Sequence, residues 1–374
     1  MPNAGGRPLA TPFGTVYATN LTPDPATGIG QWSFSAFQRA MREGISRDGH
    51  HLYPAFPYTA FSQVNDEDLT ALYAWLMAQP AVVNAVAETR LAFPFNLRSL
   101  LGLWNALYLQ PGPLPALARA GVPAPLPGVD PARWARGAYL VNGLGHCGAC
   151  HTPRDALGVE RSRSAYLGGA LADGWEAPAL GALNLSPLRW TEAALRHYLR
   201  RGHHADHGIA GGPMAGVVQQ LAQLPEADLA AIAHCLVALQ GPAPAAAPSA
   251  AALVQRAAAP RRACCPAQPR ACSRALAAPA TMTAMAPALL GLNQALALNP
   301  NLHSARPDNL LRTILDGIWQ PAFPEIGHMP AVRDALDDAQ IAELAAWMRQ
   351  RYAPGQAPWA HLAAQVARLR AAPG

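Results

Sequence analysis

"GHCGACHTP", residues 145–153, places Cys147 and Cys150 three positions apart and His151 directly after the second cysteine. Three chemistries use such a pair. A structural zinc site needs four ligands, usually completed by a second Cys or His pair at short spacing. Within 131–241, however, Cys235 and five histidines follow His151, with no compact pair like C-x-x-C. A thioredoxin-like dithiol sits in a βαβ setting, and strand-like alternation is nearly absent from the chain. Haem attachment needs two thiols for thioether bonds and an adjacent imidazole for the iron, which is what C-x-x-C-H supplies. The haem reading is the one the rest of the sequence favours.

That reading requires a second axial ligand. In electron-transfer haems it is commonly a methionine thioether, which raises the potential. Between His151 and residue 242 there is one methionine, Met214, in the Gly/Pro stretch "AGGPMAG". A methionine inside a helix at helical spacing is more often core, whereas one in a glycine-rich loop has little packing reason to be there. Met214 is the candidate ligand, with His203, His204 and His207 as alternatives.

Composition narrows the class. The chain has 374 residues, enough for two or three domains. Apolar residues make up 51% and charged ones 14%, and much of the apolar share is alanine, which favours compact helices. The longest greasy stretch, "LRSLLGLWNALYLQ" at 97–110, contains Arg98 and is too short for a bilayer core of about 30 Å. The net charge of +5 is spread out, with no basic run interleaved with aromatics, so nucleic acid is excluded as a partner class. It suits an acidic protein or anionic headgroups. The opening residues, "MPNAGGRPLATPFG", carry no basic and apolar export signal.

Proline-rich stretches at 111–131 and 242–260 divide the chain into blocks that resemble one another. Each has an Asn-Leu pair ("TNLTP", "LNLSP", "PNLHS"). Each then continues into an expected helix: "SFSAFQRAMREGI", "TEAALRHYLRRGH" and "RPDNLLRTILDGI". A proline-bearing loop follows ("YPAFPY", "GGPMAG", "GHMPAV"), and an acid-capped helix closes the block: "NDEDLTALYAWLM", "PEADLAAIAHCLV" or "LDDAQIAELAAWM". In the first closing helix Leu69, Leu72, Tyr73 and Leu76 recur at i, i+3, i+4 and i+7. The expected fold class is all-α.

The segments "FGTVYATNLTPDPATGIGQWSFSAFQRAMREGISRDGHHLYPAFPY", "GAYLVNGLGHCGACHTPRDALG", "YLGGALADGWEAPAL" and "NPNLHSARPDNLLRTILDGI" together resemble the multihaem, typically trihaem, cytochrome c subunits of membrane-associated bacterial dehydrogenases. "LYPAFPY" and "FPFNLRSLLGLWNALYL" look more like relatives that accompany nicotinate-type molybdenum hydroxylases than the alcohol-oxidising branch. The resemblance implies three consecutive small cytochrome c-like helical domains: 1–90, 131–241 with the intact motif, and 286–355. A connector at 91–130, a low-complexity linker at 242–285 and an amphipathic tail at 356–374 complete the chain. It also implies covalent haem c and an electron-transfer role without a catalytic centre. The partners would be a catalytic dehydrogenase subunit and quinone or a terminal oxidase, in the periplasm at a membrane surface. A haem peroxidase or a non-functional relic are the alternatives.

The chain departs from that pattern in two places. No cysteine precedes Cys147, and Phe56 stands where Met214 and Met329 fall in the other blocks, so that block would take His50 or His51 as a substitute or leave the site open. The expectation is a chain that starts late, without its signal peptide and first motif. In the third block Met329 lacks a preceding C-x-x-C-H, and "RRACCPAQPRACSRALAAPATMTAMAPALL" brings three isolated thiols, Cys264, Cys265 and Cys272. Read in the third-base frame, the codons for Leu276 to Ala286 permit C-x-x-C-H-D-D-G-H-G. The segment is therefore expected to be a frameshifted stretch over a third haem motif, with Met329 as its ligand.

Overall fold

The computed structural model describes residues 3–110, 112, 128–161, 163–243, 247–258 and 295–372. The connector at 113–127 and the segment 259–294, with Cys264, Cys265, Cys272 and the frame-shifted reading of 276–286, lie outside the described residues. The chain forms two compact units, residues 1–124 with 138–166 and residues 125–137 with 167–374.

The first unit opens with an antiparallel sheet, β1 (Pro8–Thr11), β2 (Gly14–Tyr17) and β3 (Arg90–Leu91), in the order β1-β2-β3. Helix α1 (Phe34–Glu43) starts at Ser33, whose side chain accepts the Ala36 N–H, and stops at Gly44 in the left-handed region (φ 64°). A Cβ on Gly44 would strike the Tyr58 ring at 2.7 Å, so glycine is required there twice over. A helical turn, α2 (Tyr58–Phe61), leads to α3 (Asp66–Met77). Asn65 caps α3, and Asp66, Glu67 and Asp68 face its positive end. Leu69 and Leu76 are buried with Ile29, Phe37, Met41 and Val64, and Leu72 and Tyr73 pack against them, as the helical spacing requires. Helix α4 (Leu100–Tyr108) is held along one side by the Tyr58 hydroxyl donating to Asn105 (2.7 Å) and by Trp104 Nε1 donating to the Leu157 carbonyl (3.1 Å).

Helix α5 (Pro131–Tyr139) runs into a π-helical turn, Leu140–Leu144, and the short α6 (Gly148–His151). In the second unit the ribbon β4 (Ala170–Ala172)–β5 (Trp175–Ala177) turns through Asp173 and Gly174, both at positive φ. Helix α7 (Glu192–Arg201), capped by Thr191, ends at Gly202 (φ 72°). The ribbon β6 (His203–His204)–β7 (Gly208–Ile209), α8 (Pro213–Leu221) and α9 (Glu226–Ala238) follow. Among the described residues that follow are the helices α10 (Ala250–Ala258), α11 (Pro300–His303), α12 (Asp308–Asp316), α13 (Asp338–Tyr352) and α14 (Leu362–Ala371). Asp337 and Gln340 form a reciprocal capping box on α13.

All six block helices expected from the sequence form, and the structure is helix-rich. Among the described residues three small sheets are additional to the all-α expectation; their strands span two to four residues, too few to show alternation. The alanine-rich α10 forms within the stretch 242–260 that composition marks as a linker, since alanine is the best helix former. The apolar stripe of the amphipathic tail packs into the core. Val366 and Leu369 are buried with Leu311, Leu315 and Ile341, and Trp359 and Leu362 pack against the same cluster.

Candidate haem-attachment site

The attachment turn is assembled by backbone hydrogen bonds that leave little choice of conformation. After α5, the π-helical turn buries Leu140, Val141, Asn142 and Gly143. The Gly145 N–H donates to the Leu140 carbonyl (2.7 Å) and the Cys147 N–H to that of Val141 (2.9 Å). The Asn142 amide donates to the Ala138 carbonyl (2.7 Å) and accepts from the Tyr166 hydroxyl (2.6 Å). The chain then passes through His146 at φ 34°, a strained value for a non-glycine residue, and enters α6. The His151 N–H donates to the Cys147 carbonyl (2.9 Å), so Cys147, Cys150 and His151 stand at i, i+3 and i+4 of one helical turn. Residues at that spacing share a face. The donor set is thus two sulfurs and one imidazole on one side of one turn, which fits covalent haem c.

Burial tunes the groups of this turn. It pushes the half-buried Cys147 thiol up to about 12, with Cys150 and the Glu160 carboxylate adding to the effect, so the sulfur is held as a thiol. Burial also holds His146 below the usual imidazole range, against the opposing pull of Glu160. Its ring meets Phe61 edge to face at 5.4 Å. Cys150 is exposed and His151 half-buried.

The candidate second ligands belong to the other unit. Met214 does not lie in an open loop: it is the second residue of α8 and packs half-buried with Ala210, Val218, Ala322 and Ile326. Proline favours the start of a helix, and the helix therefore begins at Pro213, one residue ahead of it. Gly212, at φ 52°, has no room for a Cβ, which would stand 2.6 Å from the Trp175 ring. His207 is buried and stacked on Trp190 at 3.7 Å. Burial, aided by His204, lowers it to about 4. His204 and His203 are also held low, chiefly by burial. Met329 exchanges two backbone hydrogen bonds with Ile318 and is half-buried.

In the first block, Phe56 packs on Phe61 (5.4 Å) within the α1–α3 core. His50 pairs with Asp48 at 2.6 Å. His51 lies beside Gly102 of α4, with a buried Nδ1 that has no hydrogen-bond partner.

The whole chain aligns with one of the subunits of nicotinate dehydrogenase from Pseudomonas putida, 48% identical over 373 residues that cover 100% of this chain and 30% of that protein. It is 44% identical over 248 residues to the gluconate 2-dehydrogenase cytochrome c subunit of Pantoea cypripedii, covering 64% of this chain and 54% of that one. A diheme cytochrome c-type protein of Cereibacter sphaeroides is 41% identical over 237 residues, which cover 62% of this chain and 74% of the relative. The chain belongs to the c-type cytochrome family.

The prosthetic group of this cytochrome family is covalently bound haem c. The gluconate, fructose and alcohol dehydrogenase relatives are named as cytochrome subunits, and the peroxidase alternative finds no support among the relatives. The chain spans about half the length, or less, of the first dehydrogenase subunits it matches. No protein-family profile matches it.

Four residues that shape the candidate attachment turn were not singled out from the sequence: His146, Gly148, Arg154 and Glu160. A Cβ on Gly148 would stand 2.5 Å from Glu160 Oε2. Nothing in the sequence shows that "PRDALGVER" folds back onto the motif; only its Gly158, at φ 77°, marks a turn.

Proposed function

We propose that this chain is a periplasmic electron-transfer cytochrome, without a catalytic centre of its own. It takes electrons from a dehydrogenase subunit and passes them to quinone or a terminal oxidase. The observation that carries this reading is the turn at Cys147–His151, with thiol, thiol and imidazole on one face. Cys147 and Cys150 would anchor haem c through thioethers, and His151 and Met214 would supply the ligands to its iron. The bound haem supplies a reversible one-electron site. The chain orients it through the two thioether anchors and, by thioether ligation, favours the reduced iron. Met329 holds the matching place in the third block and serves a haem only where a C-x-x-C-H precedes it. The finer architecture is three cytochrome c-like helical domains in sequence.

Identity of 48% along the whole chain to a nicotinate dehydrogenase component supports a catalytic partner of the molybdenum hydroxylase type. Membrane association at the surface fits α4. Among the described residues no helix is long and apolar enough to cross a bilayer, but Leu100, Leu103 and Leu107 are exposed along one side of α4. Phe93 is 78% exposed nearby.

The test is haem attachment in the full chain, matured in a host that makes haem c. One covalent haem should survive acid-acetone extraction, and replacing Cys147 and Cys150 together by alanine should abolish the haem-stained gel band. A band that persists would place the attachment elsewhere.

A further inference from the structure

The loop after the attachment turn folds back as a hairpin and lays two opposite charges on the residues between the cysteines. Arg154 and Glu160 face one another as an antiparallel bridge, and the Arg161 N–H donates to the Pro153 carbonyl (2.8 Å). The Asp155 carboxylate accepts the N–H groups of Leu157 (2.9 Å) and Val159 (3.0 Å), closing the tip. From this frame the Arg154 guanidinium donates to the Gly158 carbonyl (2.7 Å) and to the carbonyl of Ala149 (3.2 Å). It lies 3.5 Å from Glu160 Oε1, while Glu160 Oε2 crowds Gly148. Gly148 and Ala149 are the two residues of the motif between Cys147 and Cys150.

We propose that Arg154 and Glu160 form a charge pair that sets the reduction potential of the haem held at Cys147 and Cys150, Glu160 lowering it and Arg154 raising it. This rests on the attachment site proposed above. The step concerned is transfer of one electron from the donor subunit to ferric iron; no bond forms or breaks. The oxidised site carries one positive charge more than the reduced site. A nearby carboxylate therefore favours the oxidised form and a guanidinium the reduced form. Both side chains are partly exposed, 38% for Arg154 and 25% for Glu160, so solvent attenuates each effect. Both are positioning residues, acting through the field at the turn and through the Ala149 carbonyl.

The experiment is a spectroelectrochemical titration of the full, haem-loaded chain. Glu160→Gln should raise the midpoint potential and Arg154→Gln should lower it. At a fixed potential each shift should amount to a change in the oxidised-to-reduced ratio of about threefold to tenfold. The double variant should return near the wild type, Arg154→Lys should stay close to it, and the shifts should shrink in high salt. A purely structural role would move both single variants the same way; that result, or no shift in Glu160→Gln, overturns the proposal. Should Arg154→Gln fail to fold, Glu160→Gln and Arg154→Lys decide the matter by themselves. A wild-type chain without covalent haem would overturn the attachment site itself, an outcome distinct from loaded variants that do not shift.

Discussion

Gly137 of α5 and Ala231 of α9 meet so closely that a Cβ on Gly137 would stand 2.0 Å from the Ala231 carbonyl oxygen and 2.7 Å from the Cys235 Cβ. Glycine inside a helix costs about 1 kcal/mol relative to alanine, and this crossing is what offsets that cost. Gly137→Ala should therefore destabilise the chain in spite of its better helix propensity. The expected loss is about 1–3 kcal/mol, because the clash is with backbone and cannot be relieved by a rotamer change. Thermal unfolding followed by circular dichroism measures it, and an unchanged or higher Tm would mean that the helices do not cross this tightly.

His207 makes stability depend on pH. Burial, with repulsion from His204 and against attraction to Asp206, lowers its pKa from 6.5 to about 4. Between those values the unfolded chain takes up the proton and the folded chain does not. Stability is thus full above 6.5 and is lost as the pH falls towards 4, by about 3 kcal/mol in all. Melting curves from about pH 7.5 to about pH 4.5 should show this decline, and His207→Gln should flatten it. His203 and His204, also held low, contribute in the same direction. A variant as steep as the wild type would exonerate His207.

Much of this was legible in the sequence because it was local. Helical spacing in "NDEDLTALYAWLM" and its acidic first turn are properties of the segment itself, and α3 forms where they put it. The spacing of Cys147, Cys150 and His151 defines one helical turn wherever that turn lies. The β4–β5 ribbon, turning at Asp173 and Gly174, went unread, because three-residue strands are too short to alternate visibly. What stayed hidden was tertiary. Met214 looked like a loop residue because nothing in "AGGPMAG" reveals that Ala322 and Ile326, over a hundred residues later, give it apolar neighbours. The tail's amphipathic pattern likewise does not name its partners, which are Leu311 and Leu315 of α12 and Ile341 of α13. Arg154 and Glu160 were invisible for the same reason: their role depends on a hairpin folding back.

The exposed side of α4 predicts membrane affinity that can be removed without unfolding the chain. Leu103 and Leu107 are 64% and 65% exposed, while Trp104 and Asn105 face inward and hold the helix. No acidic residue stands between Glu88 and Asp130, and Arg90 and Arg98 precede α4. The wild type should co-float with anionic vesicles. Replacing Leu103 and Leu107 together by aspartate should weaken binding more than tenfold, since burying each leucine contributes about 1.5–3 kcal/mol. Stability should change by less than about 0.5 kcal/mol per site. Failure of the wild type to bind vesicles would remove α4 from the membrane-facing surface.

The identity of the second axial ligand can be read from the haem itself. Met214 sits half-buried at the start of α8, held by the Gly212–Pro213 entry and by apolar neighbours that suit leucine nearly as well as methionine. Met214→Leu keeps volume and should cost less than about 1.5 kcal/mol in stability. It nevertheless removes the only group at that position able to bind iron. The ferric wild type should show the weak near-infrared sulfur-to-iron band, and the variant should lose it. Its midpoint potential should fall, because thioether ligation favours the reduced iron. Persistence of the band in Met214→Leu would move the assignment to another thioether, with Met329 the first to be replaced. Absence of the band in the wild type would instead assign the position to a histidine of "GHHADHG", whose members burial already holds neutral and therefore able to coordinate.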